Sequence, residues 1–261
     1  MRILLTNDDG YGSEGIETLA SVLSDEHEVW VVAPATNKSG ASSSINIQKK
    51  LRLERRGVNR YALEGTPADC VLSALKGGYL PGLPDVVLSG INRDENMGTD
   101  IVYSGTCAAA RQACLGGVPS VALSTKHGER EDGEFFFIYE SLAVFVKRNL
   151  SGLISLCGAR EAETGNFPYF PNINAPSRSV FKGVSFASLC KRLYHDRVNI
   201  ETENDETVYS TCVGGDAVPS HGSGADDATL VEKGYVAISV LYAEPKADLS
   251  FCNQDASQFV F

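Results

Sequence analysis

The stretch ILLTNDDGYGSEGIETLASVLSDEHEVWVVA, residues 3–33, decides the fold. Residues 3–6 are a short apolar run. Ile16, Leu19, Ala20 and Leu23 then recur at helical spacing, and residues 28–33 form a second, valine-rich run. Strand, helix and strand in that order make a βαβ unit. The pattern returns with a buried-type strand at 85–89, a helix at 107–115 and a strand at 118–124. Between these units Thr66 has the chemistry of an N-cap, and Pro67 sits at the first helical position, where its missing N–H costs nothing. Asp69 lies near the positive end of that helix, and Gly77-Gly78 closes it. Phe135, Ile138, Leu142, Phe145 and Val146 keep helical spacing, so residues 135–150 are predicted as one long amphipathic helix. Strands separated by helices predict an α/β protein whose mostly parallel sheet is covered on both faces.

After about residue 165 the texture becomes more polar and hairpin-like. Strands are expected at 180–187, 192–201 and 208–213, followed by a short helix at 226–233 ended by Gly234 and a strand at 235–241 that rejoins the sheet. The chain therefore reads as one domain over 1–261, with a core at 1–165 and a β-rich C-terminal extension at 166–261. It contains no internal repeat and no low-complexity segment.

At 261 residues and 28.0 kDa, with 43% hydrophobic and 21% charged residues, the chain is large enough to bury a substantial core. No uncharged apolar run is long enough to cross a bilayer, which argues against a membrane protein. Lys and Arg number 23 against 33 Asp and Glu, a net charge of −10, and no basic cluster is long enough to track a phosphate backbone. No nucleic-acid polymer is expected as a partner, and a small anionic substrate would need a local cation or a helix N-terminus to hold it. The apolar run at the N-terminus is too short for a signal peptide, so the protein is expected in the cytoplasm. The seven cysteines (70, 107, 114, 157, 190, 212 and 252) are odd in number and form no C-x-x-C, which predicts reduced, mostly buried thiols.

In an open parallel sheet the loops leaving the carboxyl ends of the strands gather along one edge. Asn7-Asp8-Asp9-Gly10, residues 34–44 and Ser89-Gly90-Ile91-Asn92 all sit at such exits. Gly10 and Gly12 allow the chain to turn so that Asp8 and Asp9 aim at one point, and two adjacent carboxylates stay ionised together only beside a cation. The Ser39 hydroxyl and the Asn92 amide oxygen are further hard donors at this edge, suited to magnesium, manganese or calcium rather than zinc. Ser104-Gly105-Thr106 opens the helix at 107–115 and has the form of a phosphate-binding turn, and Asn96 lies in the loop leading to it. Nucleophilic alternatives are poorer. There is no G-x-S-x-G, no G-x-G-x-x-G follows the first strand, and His27, His127, His195 and His221 lie in polar or turn-like segments without a recognisable Ser or Cys partner.

Thr6-Asn7-Asp8-Asp9-Gly10, Val32-Ala33-Pro34 leading to Ser39, Gly65-Thr66-Pro67-Ala68-Asp69-Cys70, Ser89-Gly90-Ile91-Asn92, Asn96-Met97-Gly98 and Tyr103-Ser104-Gly105-Thr106 resemble, in order and spacing, the SurE family of metal-dependent nucleotidases. The match is dense over about residues 1–125 and thinner beyond, where it rests on Asn172-Ile173-Asn174 and Gly234-Tyr235-Val236. The resemblance implies a Rossmann-like three-layer sandwich, hydrolysis of nucleoside 5′- and 3′-monophosphates, and one divalent metal ion per subunit, magnesium or manganese. It also implies a homodimer or homotetramer in which the later β segment exchanges with a neighbour. Carried over by position, the metal ligands are Asp8, Asp9, Ser39 and Asn92, with Asn96, Ser104, Gly105 and Thr106 at the phosphate. Three positions depart from the family: Ser42-Ser43-Ser44 stands where Gly-His-Ser is usual, Asp94 where glycine is usual, and Cys107 where valine is usual.

The chemistry expected is hydrolysis of a phosphomonoester by water activated at the cation, with Asp8 or Asp9 accepting the proton and Asp8 favoured by its place nearer the strand end. The amides at 105 and 106 are expected to take charge that builds on the phosphoryl oxygens. Two rival readings use the same residues. One is a phosphatase with a covalent aspartyl-phosphate, whose usual pattern spaces two aspartates by one residue where these are adjacent. The other is a non-catalytic metal- or nucleotide-binding protein.

Overall fold

The opening βαβ unit is β1 (Arg2–Thr6), α1 (Glu14–Ser24) and β2 (Glu28–Pro34), with β1 and β2 paired in parallel. The computed structural model describes residues 1–204, 207–213, 217–220 and 225–247. After β2 come β3 (Leu53–Gly57), β4 (Arg60–Leu63), α2 (Pro67–Lys76), β5 (Val86–Arg93), a 3-10 turn at Gly98–Val102, α3 (Gly105–Leu115) and β6 (Ser120–Lys126). A short hairpin of β7 (Gly128–Glu129) and β8 (Phe135–Phe136) precedes α4 (Glu140–Ser155) and β9 (Tyr169–Pro176). The remainder is β10 (Val184–Phe186), β11 (Lys191–Tyr194), β12 (Arg197–Thr202), β13 (Val208–Val213), β14 (Ala217–Ser220), α5 (Asp227–Glu232) and β15 (Val236–Tyr242).

Nine strands form one sheet in the order β10-β15-β9-β6-β5-β1-β2-β4-β3, antiparallel only at β15–β9 and β4–β3. Alternation along β1 sends Ile3 and Leu5 to one face, where they pack with Ile16, Leu19 and Leu23 of α1 and Leu142, Val146 and Leu150 of α4. Leu4 faces the other way, into a cluster with Val71 and Ala74 of α2 and Ala109 and Ala113 of α3. The result is the α/β three-layer sandwich that strands buried on both faces require.

Local chemistry accounts for the clearest helix start. The Thr66 hydroxyl accepts from the Asp69 amide at 3.2 Å and the Asp69 carboxylate accepts from the Thr66 amide at 2.9 Å, a reciprocal capping box with Pro67 as the first helical residue. Asp69 also takes two hydrogen bonds from Asn46, at 2.9 and 2.6 Å, and so ties the loop after β2 to this helix.

Three expectations change. The helix predicted from Phe135 begins at Glu140, because Gly133 at φ +83° and the Asp132 carboxylate, which accepts from the Glu134 amide, turn the chain back into a hairpin containing Phe135 and Phe136. The strand predicted at 192–201 is divided between β11 and β12, which pair with different partners. β9, within the predicted extension, lies inside the main sheet between β6 and β15. Cys70, Cys107, Cys114, Cys157 and Cys190 are buried free thiols and Cys212 is exposed, whereas Cys252, His221 and residues 248–261 lie outside the described residues. No helix among the described residues is long and apolar enough to cross a membrane.

Candidate active site

From β1 the chain crosses to β2 on one side of the sheet and later returns to β5 on the other, so the order reverses between β1 and β5. The loops leaving the carboxyl ends of these two strands diverge there and leave a crevice. Asp8 and Asp9 follow β1 directly, and Asn92 is near the end of β5. Gly10, at φ +104°, turns the chain, and Asn7 closes that turn by accepting from the Gly10 amide and donating to the Gly10 carbonyl and the Ser13 hydroxyl. The loop after β2 folds over the same place, where the Lys38 amide donates to the Asp8 carbonyl at 2.7 Å.

Asp8 is 3% exposed. Its carboxylate accepts from the Thr106 hydroxyl at 2.6 Å and the Thr106 amide at 3.2 Å, so the N-terminus of α3 is directed at it. Gly105 makes this approach possible, since a methyl group there would lie 2.8 Å from the Asp8 Cβ and 2.9 Å from a carboxylate oxygen. Burial pushes the Asp8 carboxyl up from its ordinary value despite these hydrogen bonds. Asp9 accepts from the Arg93 amide at 3.0 Å, and burial, with the neighbouring Asp8 adding, pushes it up to about 6. No Lys or Arg side chain forms an ion pair with either carboxylate among the described residues.

The other site residues are placed as follows. The Asn92 amide nitrogen donates to the Asp94 carbonyl at 2.8 Å, which leaves the amide oxygen as its free acceptor. Ser39 is exposed beside Lys38, its amide bonded to the Asn37 side chain. The serine loop meets the turn before α3, where Ser42 bonds the Val102 and Tyr103 carbonyls and Arg111 donates to Ser43. Ser104 caps α3 by accepting from the Cys107 amide. Asn96 donates one hydrogen of its amide to Ser124, and its backbone carbonyl accepts from Asn172 and Asn174. The amide of Thr106, expected to face a phosphate, is directed at Asp8 here.

Asp94 and His127 carry no local motif, yet the structure brings them together. Asp94 Oδ1 lies 2.6 Å from His127 Nδ1, and Glu95 nearby is paired with Lys126 and Arg192. Ligand atoms of Asp94, Glu95 and His127 lie within 4.8 Å of one another, but the two cations on Glu95 and the direct Asp94–His127 contact satisfy the group internally. The clue to this pairing is topological: Asp94 and His127 each stand just beyond adjacent parallel strands, β5 and β6, whose carboxyl ends meet.

Comparison with known proteins identifies the family. The family model described as survival protein SurE matches residues 3–196. A protein named 5′-nucleotidase SurE from Campylobacter jejuni is 38% identical over 244 residues, covering 91% of this chain and 90% of its own length. A protein of the same name from Nitrosomonas eutropha is 37% identical over 244 residues, covering 92% of each chain. The crystal structure of the SurE protein from Aquifex aeolicus superposes with a TM-score of 0.74 at 30% identity, covering 94% of this chain and 95% of the other. With Asp8, Asp9 and Asn92 at the switch point of such a sheet, the chain is a member of the SurE family.

Proposed function

We propose that this protein hydrolyses nucleoside 5′-monophosphates, and 3′-monophosphates as well, to nucleoside and phosphate. One divalent ion, magnesium or manganese, is held by Asp8, Asp9, Ser39 and Asn92. The observation that carries the reading is the pair of adjacent carboxylates, both pushed up by burial and neither paired with a Lys or Arg side chain among the described residues. A divalent ion between them offsets the burial and the like-charge repulsion that oppose ionising both. All four donors are oxygens, as magnesium and manganese prefer. When bound, the ion supplies positive charge to a phosphoryl oxygen and makes water more acidic.

Thr106 fixes the Asp8 carboxylate with two hydrogen bonds, so its direction is set before substrate arrives. One lone pair on each Asp8 oxygen is used in this way, and the other is left for the cation. Asp9 Oδ1 accepts no hydrogen bond among the described residues, so Asp9, rather than the Asp8 expected from its place near the strand end, takes the proton of the attacking water. The Ser104 hydroxyl, an acceptor only for its cap, and the second amide hydrogen of Asn96 remain to donate to the phosphate.

Purified protein with magnesium or manganese is expected to release phosphate from a panel of 5′- and 3′-nucleotides and to lose that activity in excess chelator. No release under any divalent ion would refute the reading. Gly105→Ala is a sharper test of the Asp8 seat. The added methyl displaces the carboxylate, so turnover is expected to fall at least tenfold while the overpacking costs about 1–3 kcal/mol in a denaturant melt.

The β12–β13 hairpin, outside the main sheet, exposes Val198, Ile200, Val208, Tyr209 and Val213. An unpaired apolar hairpin of this kind supports the homodimer or homotetramer, with this segment at the interface. The buried free thiols are consistent with a cytoplasmic protein.

A further inference from the structure

Beside Asp9 opens a cleft of about 550 Å³, bordered by Asp9 and Arg93 on one side and by Arg130, Phe135, Phe136 and Phe137 of the 128–137 hairpin on the other. Its size lies within the ~300–1,000 Å³ usual for small-molecule sites. The aromatic wall is built rather than incidental. The Phe136 ring packs directly on Gly128, where there is no room for a Cβ, and the Arg130 guanidinium lies 5.8 Å from the ring centroid. Phe137 is stacked with Tyr139 at 5.7 Å and has the Arg93 guanidinium 5.0 Å from its centroid. Phe135 remains 59% exposed, and its ring rests on His127 at 4.2 Å. His127 is in turn held by Asp94, which buttresses this wall from behind.

We propose that this cleft is the nucleoside-binding subsite, in which a purine base stacks on Phe135 and Arg130 donates to the acceptor edge of the base. The assignment rests on the phosphomonoesterase reading, since it is the phosphate at Asp8 and Asp9 that brings the nucleoside alongside. Three observations favour this occupant. Asp9 lines both the reaction centre and the cleft, so a ligand held at one extends into the other. A large aromatic ring left in water with its back supported is a stacking platform, and base–aromatic stacking is a strong, sequence-tolerant contact. Arg93 and Arg130 form no ion pair among the described residues, and their guanidinium groups line the cleft together with the carboxylates of Asp9 and Glu14. Guanidinium groups only donate, which matches N7 of purines and O6 of guanine.

Phe135→Ala, at an exposed position in the hairpin, tests the proposal in the metal-loaded enzyme. The ratio of kcat/KM for adenosine 5′-monophosphate to kcat/KM for ribose 5-phosphate is expected to fall about tenfold, through KM, and His127→Ala to move it in the same direction by less. Calorimetric titration with adenosine gives a second readout that needs no turnover: binding is expected to the wild-type protein and to be at least tenfold weaker in Phe135→Ala. An unchanged ratio, with adenosine binding equal in both proteins, would overturn the subsite. A wild-type protein that cleaves neither phosphomonoester would instead reject the enzymatic reading. The cleft would then be judged by adenosine alone, and absence of binding would reject it too.

Discussion

Asp8→Asn is expected to lower phosphate release from adenosine 5′-monophosphate by about a thousandfold or more, with the fold intact. A loss of that size corresponds to ~4 kcal/mol of transition-state stabilisation, the scale of a lost charge contact at a phosphoryl centre. The side chain is 3% exposed at the end of β1, and both its oxygens accept from Thr106. Asparagine keeps the shape and one carbonyl oxygen, and the Thr106 hydroxyl can rotate to accept from the new amide, so the seat survives while the charge is lost. Removing a carboxylate whose ionisation burial opposes costs the metal-free protein no stability. The measurement is therefore a pair: initial rates with saturating magnesium or manganese, and the thermal melt without metal. A near-normal rate would remove Asp8 from the reaction. A phosphorylated Asp8, trapped by acid quench and found by mass, would instead favour the covalent rival. The two hydrogen bonds already on its oxygens argue against that rival.

What the sequence revealed of this site depended on how local each signal was. β1, α1, β2, α2 and α3 carry their own evidence in apolar periodicity and caps, and the capping box at Thr66 and Asp69 forms as those residue types dictate. β3 and β4 were unreadable because Glu54, Arg55 and Arg56 lie on an edge strand, where charge is used to prevent further pairing and no alternation survives. Phe135 kept helical spacing with Ile138 and Leu142 by coincidence. The Asp132-Gly133 turn decides the backbone there and frees three phenylalanines for the cleft. Asp8 and Asp9 were legible from their adjacency, but the partner that orients Asp8 stands 98 residues away, and only the packing of α3 against β5 and the sheet reveals it. Asp94 and His127, 33 residues apart, meet for the same reason: neighbouring strand ends are close in space and distant in sequence.

The metal-free protein is expected to lose stability as pH rises from about 4 to about 6, and divalent ions are expected to restore it above that window but not below. Asp9 carries the sign. Its carboxyl is pushed up to about 6 in the fold against an ordinary 3.8, so between those values the native state holds a proton that the unfolded chain has released. Unfolding then sheds protons, and stability falls with rising pH until both states are ionised. Two pH units amount to ~3 kcal/mol at most, and solvent screening of this partly exposed group reduces it. Asp8, also raised, adds in the same direction. A divalent ion competes with those protons, so its stabilisation is largest where both carboxylates are ionised. At pH 7.5, magnesium or manganese at a hundred times its Kd contributes ~2.7 kcal/mol, a rise in Tm of roughly 5–10 °C for a chain of this size. At pH 5 the same concentration should move the Tm much less, because a proton must first leave Asp9. Asp9→Asn should flatten both the pH slope and the metal response. Equal metal shifts at pH 5 and pH 7.5 would mean that the ion binds elsewhere, at carboxylates already ionised at both.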